Sequence, residues 1–146
     1  MKITTKTLKI LTKSQFEFVD ITEKIKAAIV EAKVKNGFVN VFARHTTAAI
    51  RINQNEPLLV QDVMRLLYKL VPLEENYSHD LFEIRKNMKP DERSNGHAHC
   101  KQILLGASEC IPINQGKMEL NPRQSIFLVE FDGGRKREVV VQIIGE

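Results

Sequence analysis

The two ends of the chain carry the alternating side-chain pattern of β-strands, and this pattern restricts the fold more than any other feature. Residues 3–11 alternate between two faces, and after a turn near residues 12–14 a second strand is predicted over residues 16–19. The last third of the chain is also typical of strands. Its predicted strands cover residues 109–113, 117–120, 125–131 and 138–144. Asp132-Gly133-Gly134, between the last two, is typical of a tight hairpin turn.

Helical spacing is confined to the middle of the chain. Apolar residues recur every three or four positions from Ile21 to Ala32, behind an Asp20–Glu23 pair with the spacing of a capping box. This helix is predicted to end near Asn36-Gly37, where glycine can adopt the left-handed conformation. Pro57 fits the first turn of a second helix, and a short third helix is predicted to stop at Gly106. Residues 38–44 and 48–53 are rich in strand-forming side chains.

These elements predict an α+β fold in which mixed or antiparallel sheets are rolled into a barrel-like or sandwich core with two to three helices. No linker or repeat divides the 146 residues, so residues 1–146 are predicted to form a single domain. A chain of this length needs no disulfide to fold, and Cys100 and Cys110 are expected to be buried thiols. Residues 74–95 are polar and weakly periodic, which indicates a long functional loop.

Charge and hydropathy argue against several classes of protein. Lysine and arginine number 22 against 18 acidic residues, and these charges are scattered along the chain. Nucleic-acid binding is therefore disfavoured, whereas an acidic small-molecule substrate suits the balance. No apolar run approaches the roughly 20 residues of a membrane span, and no secretory signal is recognisable at the N-terminus. We expect a cytoplasmic protein that does not enter a membrane.

All four histidines lie between residues 45 and 99. His45 follows a predicted strand, His79 lies beside Asp80 in the long loop, and His97 and His99 open the third helix. Imidazole is a common ligand of zinc and similar divalent ions. Residues two apart on a helix point about 200° apart, so at most one of His97 and His99 can face a site. We favour His99 as a ligand and His97 as a near-site or surface residue. The alternative is that all four make ordinary hydrogen bonds or are exposed.

Several side chains are candidates for binding an anion, because hydroxyls and cations near a helix start suit phosphate. They are Thr46, Thr47, Arg51, Arg93 and Lys101. Each is also typical of a cap or a surface charge. Residues 135–137 form a basic run beside a predicted turn, where solvated charge is the usual explanation. Glu130 and Asp132 could orient an imidazole, although a turn aspartate is the simpler interpretation. No Walker loop, GxGxxG or GxSxG motif is present.

Short motifs along nearly the whole chain, taken together, resemble the YjbQ-like family. The shared blocks are His45-Thr46-Thr47-Ala48-Ala49-Ile50, residues 53–56, Leu70-Val71-Pro72, Tyr77-Ser78-His79-Asp80, Asn95-Gly96-His97-Ala98-His99, Leu104-Leu105-Gly106, Ile111-Pro112-Ile113, residues 116–120, Gln124 and residues 127–133. They occur in the family's order, which makes the resemblance specific even though each block is short.

The resemblance implies a rolled α+β fold, a homotrimer and a pocket in which histidines bind a divalent metal, with zinc favoured. The recurring histidines of the family map to His45, His79 and His99, while the position of His97 varies. Asp80 lies near this site, and Gln124 is a further candidate for binding substrate. Relatives usually carry Gly-Thr-Trp before Gln124, where this chain has Asn121-Pro122-Arg123. The segment that contains Gln124 is therefore expected to line a pocket or an interface differently here.

Two functions are consistent with these features. The first is a metal-dependent enzyme that acts on a small phosphorylated metabolite, because family members are often labelled secondary thiamine-phosphate synthases. The second is a non-catalytic trimeric module that binds a metal and an anion, since no general base stands out beside the histidines. An RNA-binding domain is a third class, which the modest net charge of +4 disfavours.

Overall fold

The computed structural model describes residues 1–146, which form eight strands and three α-helices. The elements are β1 (Lys2–Leu11), β2 (Glu17–Asp20), α1 (Thr22–Ala32), β3 (Gly37–Ala43), β4 (Ala48–Asn53), α2 (Pro57–Leu70), α3 (Gly96–Leu105), β5 (Ser108–Asn114), β6 (Lys117–Met118), β7 (Ser125–Glu130) and β8 (Lys136–Gly145). The segment between α2 and α3 contains only a single 3₁₀ turn, Ser78–Asp80. The predicted long loop therefore exists.

The strands form two curled antiparallel sheets that make a half-barrel, and the α+β prediction is confirmed. One sheet has five strands in the order β1-β8-β3-β5-β6, and the other has three in the order β2-β7-β4. Every strand pair is antiparallel. Helix α1 contacts strands of both sheets, namely β1, β6, β7 and β8, and covers the open side of the main core.

Strand β7 separates two hydrophobic clusters, which explains why its sequence is a continuous apolar run. Ile126 and Leu128 point into the main core with α1 and both sheets. Phe127 and Val129 point the other way, into a smaller cluster that includes Ala98 of α3 and Leu67 of α2. Leu67 is the only fully buried residue of α2, so this helix lies on the surface of the domain.

The predicted hairpin at Asp132-Gly133-Gly134 is wrong. Strands β7 and β8 lie in different sheets: β7 pairs with β2 and β4, and β8 pairs with β1 and β3. The segment is instead a crossover between the sheets that passes close to the β1–β2 connection. A side chain on Gly133 would overlap the Ser14 carbonyl oxygen, so glycine is required by close backbone approach rather than by a hairpin.

Three local predictions also need correction. Helix α1 ends at Ala32, before the expected Asn36-Gly37, because Lys33 adopts a left-handed conformation (φ 53°) and its N–H bonds back into the helix. No capping box forms: Asp20 accepts hydrogen bonds from the N–H and hydroxyl of Thr22, and Glu23 faces solvent. The thiols of Cys100 and Cys110 are free and exposed rather than buried.

The helices are short: the longest, α2, has 14 residues, and none combines the length and hydrophobicity that a membrane span needs.

Candidate functional site

A polar cavity of about 640 Å³ opens where the chain crosses twice between the two sheets. The first crossover, residues 44–47, joins β3 to β4, and the second, residues 131–135, joins β7 to β8. The N–H of Phe131 donates to the carbonyl of Thr47 (3.2 Å), which holds the two crossovers together. Asn95, just before α3, and His99, within α3, line another side of the cavity. The cavity therefore gathers side chains from segments that are remote in sequence.

The lining of the cavity is mostly charged or polar. Its cationic residues are Arg44, Lys89, Arg93, Arg135 and Arg137, its acidic residues are Asp91, Glu92 and Asp132, and its neutral polar residues include His45, Thr46, Thr47, Asn95 and His99. Cations outnumber anions in this lining, so the cavity suits an anionic ligand.

A buried ion pair between Glu130 and Arg137 supports one side of the cavity. Arg137 donates from Nε to Glu130 Oε2 (2.6 Å) and from Nη2 to Glu130 Oε1, and it also donates to Thr47 Oγ1 (2.8 Å). The Glu130 carboxylate further accepts from the N–H of Asp132 and from Thr12 Oγ1, each at 2.8 Å. Burial alone would raise the pKa of Glu130, but these hydrogen bonds outweigh it and hold the pKa below its usual value. The pair is therefore satisfied in its ionised form.

A second network surrounds Asp132, which is almost fully buried. Asp132 Oδ2 accepts hydrogen bonds from Arg135 Nη2 (2.7 Å) and from Asn95 Nδ2 (2.9 Å). Arg93 is held only loosely, since its Nη1 lies 3.7 Å from Asp132 Oδ1. The guanidinium of Arg135 is thus held by Asp132, whereas that of Arg93 is available to a ligand.

The remaining cations of the cavity are also weakly held. Arg44 lies 3.6 Å from Glu138, and both of these side chains are substantially exposed. Lys89 is exposed and makes no ion pair. Together with Arg93, these side chains form a set of three accessible cations, which we call the rim cations.

The histidines are divided between two positions. The rings of His79 and His99 are in edge contact, with centroids 4.7 Å apart, and His79 Nε2 is buried without a hydrogen-bond partner. Burial and the neighbouring His79 lower the pKa of His99. His45 also lines the cavity, and its Nε2 accepts a hydrogen bond from the N–H of Glu138 (2.7 Å). Burial and the charge of Arg137 lower the pKa of His45.

In this arrangement no three His, Cys, Asp or Glu side chains form a group that could hold a metal ion by themselves. His79 fits an imidazole ligand, because its buried Nε2 has no hydrogen-bond partner and is free to coordinate an ion, and the His99 ring in contact with it could supply a second imidazole. His45 does not fit as readily, because its Nε2 is engaged by backbone.

Other predicted site residues lie away from the cavity. His97 is buried rather than at the surface, and its Nδ1 lies 3.2 Å from Nζ of Lys101, which is itself buried against the Tyr68 ring. Burial lowers the pKa of Lys101. Arg51 pairs with Glu109 at 2.7 Å on the sheet surface. Gln124 lines a separate cavity of about 440 Å³ beside Asn121 and Pro122.

Asp80 fixes the start of α3. Its Oδ1 accepts hydrogen bonds from the backbone N–H of Asn95 (2.9 Å) and Gly96 (3.0 Å), and so ties the long loop to the helix that carries His99.

Replacing Asp80 with alanine is expected to destabilise the protein by about 1 kcal/mol, the usual effect of losing a helix cap. Asp80→Asn retains a side-chain oxygen and should recover much of that loss. Urea unfolding of the two variants measures the difference. Equal stability of Asp80→Ala and the unmodified protein would contradict the capping role.

Sequence patterns do not reveal the rim cations Arg44 and Lys89, and they suggest that Arg137 is a solvated charge. Arg137 is only 4% exposed and pairs with Glu130, which is fully buried. One signal of this pair is present in the sequence: Glu130 interrupts the apolar run of residues 126–131, and a carboxylate in such a run needs a cationic partner.

Fold and site together define a class of small α+β proteins with a basic cavity between two curled sheets. The chain belongs to the family described as UPF0047 protein YjbQ-like, whose family model matches residues 6–146. It is 34% identical over 146 residues to a UPF0047 protein of Methanothermobacter thermautotrophicus, covering 100% of this chain and 95% of the relative. It is 41% identical over 138 residues to a UPF0047 protein of Methanocaldococcus jannaschii, covering 94% and 91%.

Solved structures support the same grouping. A crystal structure from Sulfolobus solfataricus, described as a YbjQ-like protein of unknown function, superposes with a TM-score of 0.90 at 33% identity and 99% coverage of both chains.

Proposed function

We propose that the chain binds a small phosphorylated metabolite in the cavity between its sheets and acts on it with the help of a divalent metal ion. The observation that carries this proposal is the set of three rim cations, Arg44, Lys89 and Arg93, which face the cavity without a close ion-pair partner. Arginine and lysine in such a position suit phosphate, through paired or single charge-assisted hydrogen bonds.

His79 and His99 are the residues that would hold the metal. The buried, unpartnered Nε2 of His79 beside the His99 ring supports this assignment. Imidazole ligands favour zinc among the common divalent ions, although nickel, cobalt and iron have the same ligand preference. When bound, such an ion would stabilise negative charge on phosphate oxygens or lower the pKa of a bound water.

The chain's own residues would position the phosphate. Arg93 is tethered at one edge by the backbone carbonyl of Asp132 (3.4 Å), so its guanidinium can turn toward a ligand with little rearrangement. Thr46 and Thr47 lie in the crossover that forms another edge, although Thr47 Oγ1 is already used by Arg137. The buried Glu130–Arg137 pair would keep this crossover rigid.

A thiamine-phosphate synthase type of reaction is a specific form of this proposal. In that reaction a pyrimidine diphosphate is joined to a thiazole phosphate, and pyrophosphate is released. Both substrates and the product pyrophosphate carry the groups that the rim cations would bind. Release of pyrophosphate from this substrate pair, measured with the metal-loaded protein, tests the reaction; stoichiometric binding without turnover would favour the non-catalytic module instead.

Pyrophosphate binding tests the cavity itself. Arg93→Ala is expected to weaken binding of pyrophosphate by about tenfold or more, the usual effect of removing a charge-assisted hydrogen bond. The matched control is Arg65→Ala, which removes an exposed arginine of α2 and should leave the affinity unchanged. Isothermal titration calorimetry measures both, and equal affinities for the two variants would contradict the proposed site.

We also propose that the chain assembles as a homotrimer. Helices α2 and α3 support assembly because they expose large apolar side chains that no part of the chain covers. These are Leu58, Leu66, Leu70, Ile103 and Leu104, each more than half exposed. Contact with another copy of the chain would remove these apolar side chains from water. Light scattering coupled to size exclusion should give three times the 16.7 kDa chain mass, and a monomer would contradict the assembly.

A further inference from the structure

His45 is held by a backbone group whose position is fixed by the fold. Glu138 lies within β8 and pairs with Lys9 of β1, so its N–H is part of the rigid five-stranded sheet. This N–H donates to Nε2 of His45 at 2.7 Å. The backbone N–H can only donate, and Nε2 must therefore offer a lone pair to it.

That hydrogen bond determines where the imidazole proton lies. A neutral imidazole has one nitrogen with a lone pair and one that carries hydrogen, and an imidazolium has no free lone pair. Since Nε2 of His45 accepts, the ring is neutral and its hydrogen is on Nδ1. A histidine that ligates a metal through Nδ1 carries its hydrogen on Nε2, which would oppose the Glu138 N–H. Neither nitrogen of His45 is therefore free to ligate a metal in this conformation.

The Nδ1 atom of His45 is open to a ligand. It makes no hydrogen bond within the chain, and the only buried side-chain nitrogen or oxygen atoms without a partner are His79 Nε2 and Asn95 Oδ1. Nδ1 is consequently accessible, and His45 lines the cavity alongside Arg44. The side chain thus presents an N–H donor next to a rim cation.

We propose that His45 is a neutral hydrogen-bond donor that binds an oxygen of the phosphorylated ligand through Nδ1–H, and is not a metal ligand. This inference rests on the proposed function, because it assigns a role within the same cavity. The three recurring histidines then have two different roles, since His79 and His99 provide metal ligands whereas His45 contacts the anion. Because the N–H of Glu138 in β8 donates to Nε2, it selects the tautomer of His45 that carries its hydrogen on Nδ1. Strand β8 therefore makes Nδ1–H the donor.

Two variants separate the donor role from a ligand role. His45→Ala should weaken pyrophosphate binding by about tenfold while zinc affinity, measured without pyrophosphate, stays within about twofold of the unmodified protein. His45→Asn keeps an N–H donor of similar reach, and it should retain most of the pyrophosphate affinity. His99→Ala, in contrast, should lose zinc. Thermal unfolding shows whether each variant is folded. If the alanine variant is not folded, the asparagine variant tests the donor role by itself, because loss of its pyrophosphate affinity would contradict that role.

The tautomer can be observed directly. In ¹⁵N-labelled full-length protein, two-bond proton–nitrogen correlation spectra should show His45 with hydrogen on Nδ1 and a bare Nε2, before and after addition of zinc. A hydrogen on Nε2, or zinc loss in His45→Ala as large as in His99→Ala, would overturn the inference while leaving the phosphate site standing. Absence of pyrophosphate and zinc binding in the unmodified protein would instead overturn the proposed function.

Discussion

Replacing Glu130 with alanine is expected to destabilise the fold by about 3–5 kcal/mol, because it leaves the Arg137 charge buried without a partner. Glu130 is fully buried and Arg137 is 4% exposed, so bulk water compensates only in part for the missing carboxylate. The N–H of Asp132 and the hydroxyl of Thr12 would lose their acceptor at the same time. Guanidinium unfolding followed by circular dichroism measures the change.

The double variant Glu130→Leu, Arg137→Met separates an unpaired charge from a general loss of packing. Removing both charges should be less damaging than removing one, because no ion is then left without a counter-charge. Glu23→Ala, which breaks an exposed ion pair with Lys26, should change stability little. A Glu130→Ala variant as stable as Glu23→Ala would show that the buried pair is not needed.

The same pair makes stability depend on pH in a defined direction. The folded pKa of Glu130 lies below its unfolded value of about 4.3, so the unfolded chain binds the proton more readily. The contribution of Glu130 is therefore fully present above the unfolded pKa and is lost as the pH falls through the lower folded pKa. In Glu130→Gln this part of the acid dependence should disappear.

His79→Ala and His99→Ala are each expected to reduce zinc affinity by about 100-fold or more, since each removes one imidazole from a site with few protein ligands. Cys100→Ser is the matched control, because it changes an exposed side chain next to His99 on the same helix and leaves both imidazoles in place. Competition with a chromophoric chelator measures the affinities. Unchanged zinc affinity in both histidine variants would show that these two rings do not hold the metal.

Elements with a strong local pattern could be predicted from the sequence. The alternating residues 3–11 lie in strand β1, and Pro57 is the first residue of α2, as expected. The third helix stops at Gly106 as predicted, and its two histidines point to different surroundings: His99 lines the cavity, and His97 turns toward Lys101. These predictions succeed because the side-chain periodicity of helices and strands, and the preference of proline for a first helical turn, are properties of neighbouring residues.

The cavity could not be predicted in this way, because it forms where two crossovers between sheets meet. Asp-Gly-Gly has the local chemistry of a hairpin, yet the pairing of β7 and β8 with other strands turns it into a crossover. Arg137 follows the exposed Lys136 in a basic run, and only the register of β8 points it at Glu130. The tautomer of His45 likewise depends on Glu138, which is 93 residues away.

A crystal structure of the full chain grown with zinc and pyrophosphate tests the central claim most directly. Anomalous scattering at the zinc edge should locate one ion per chain against His79 and His99, with pyrophosphate in the cavity in contact with Arg93 and His45 Nδ1. An ion ligated by residues other than His79 and His99, or pyrophosphate bound away from the rim cations, would contradict the proposed site.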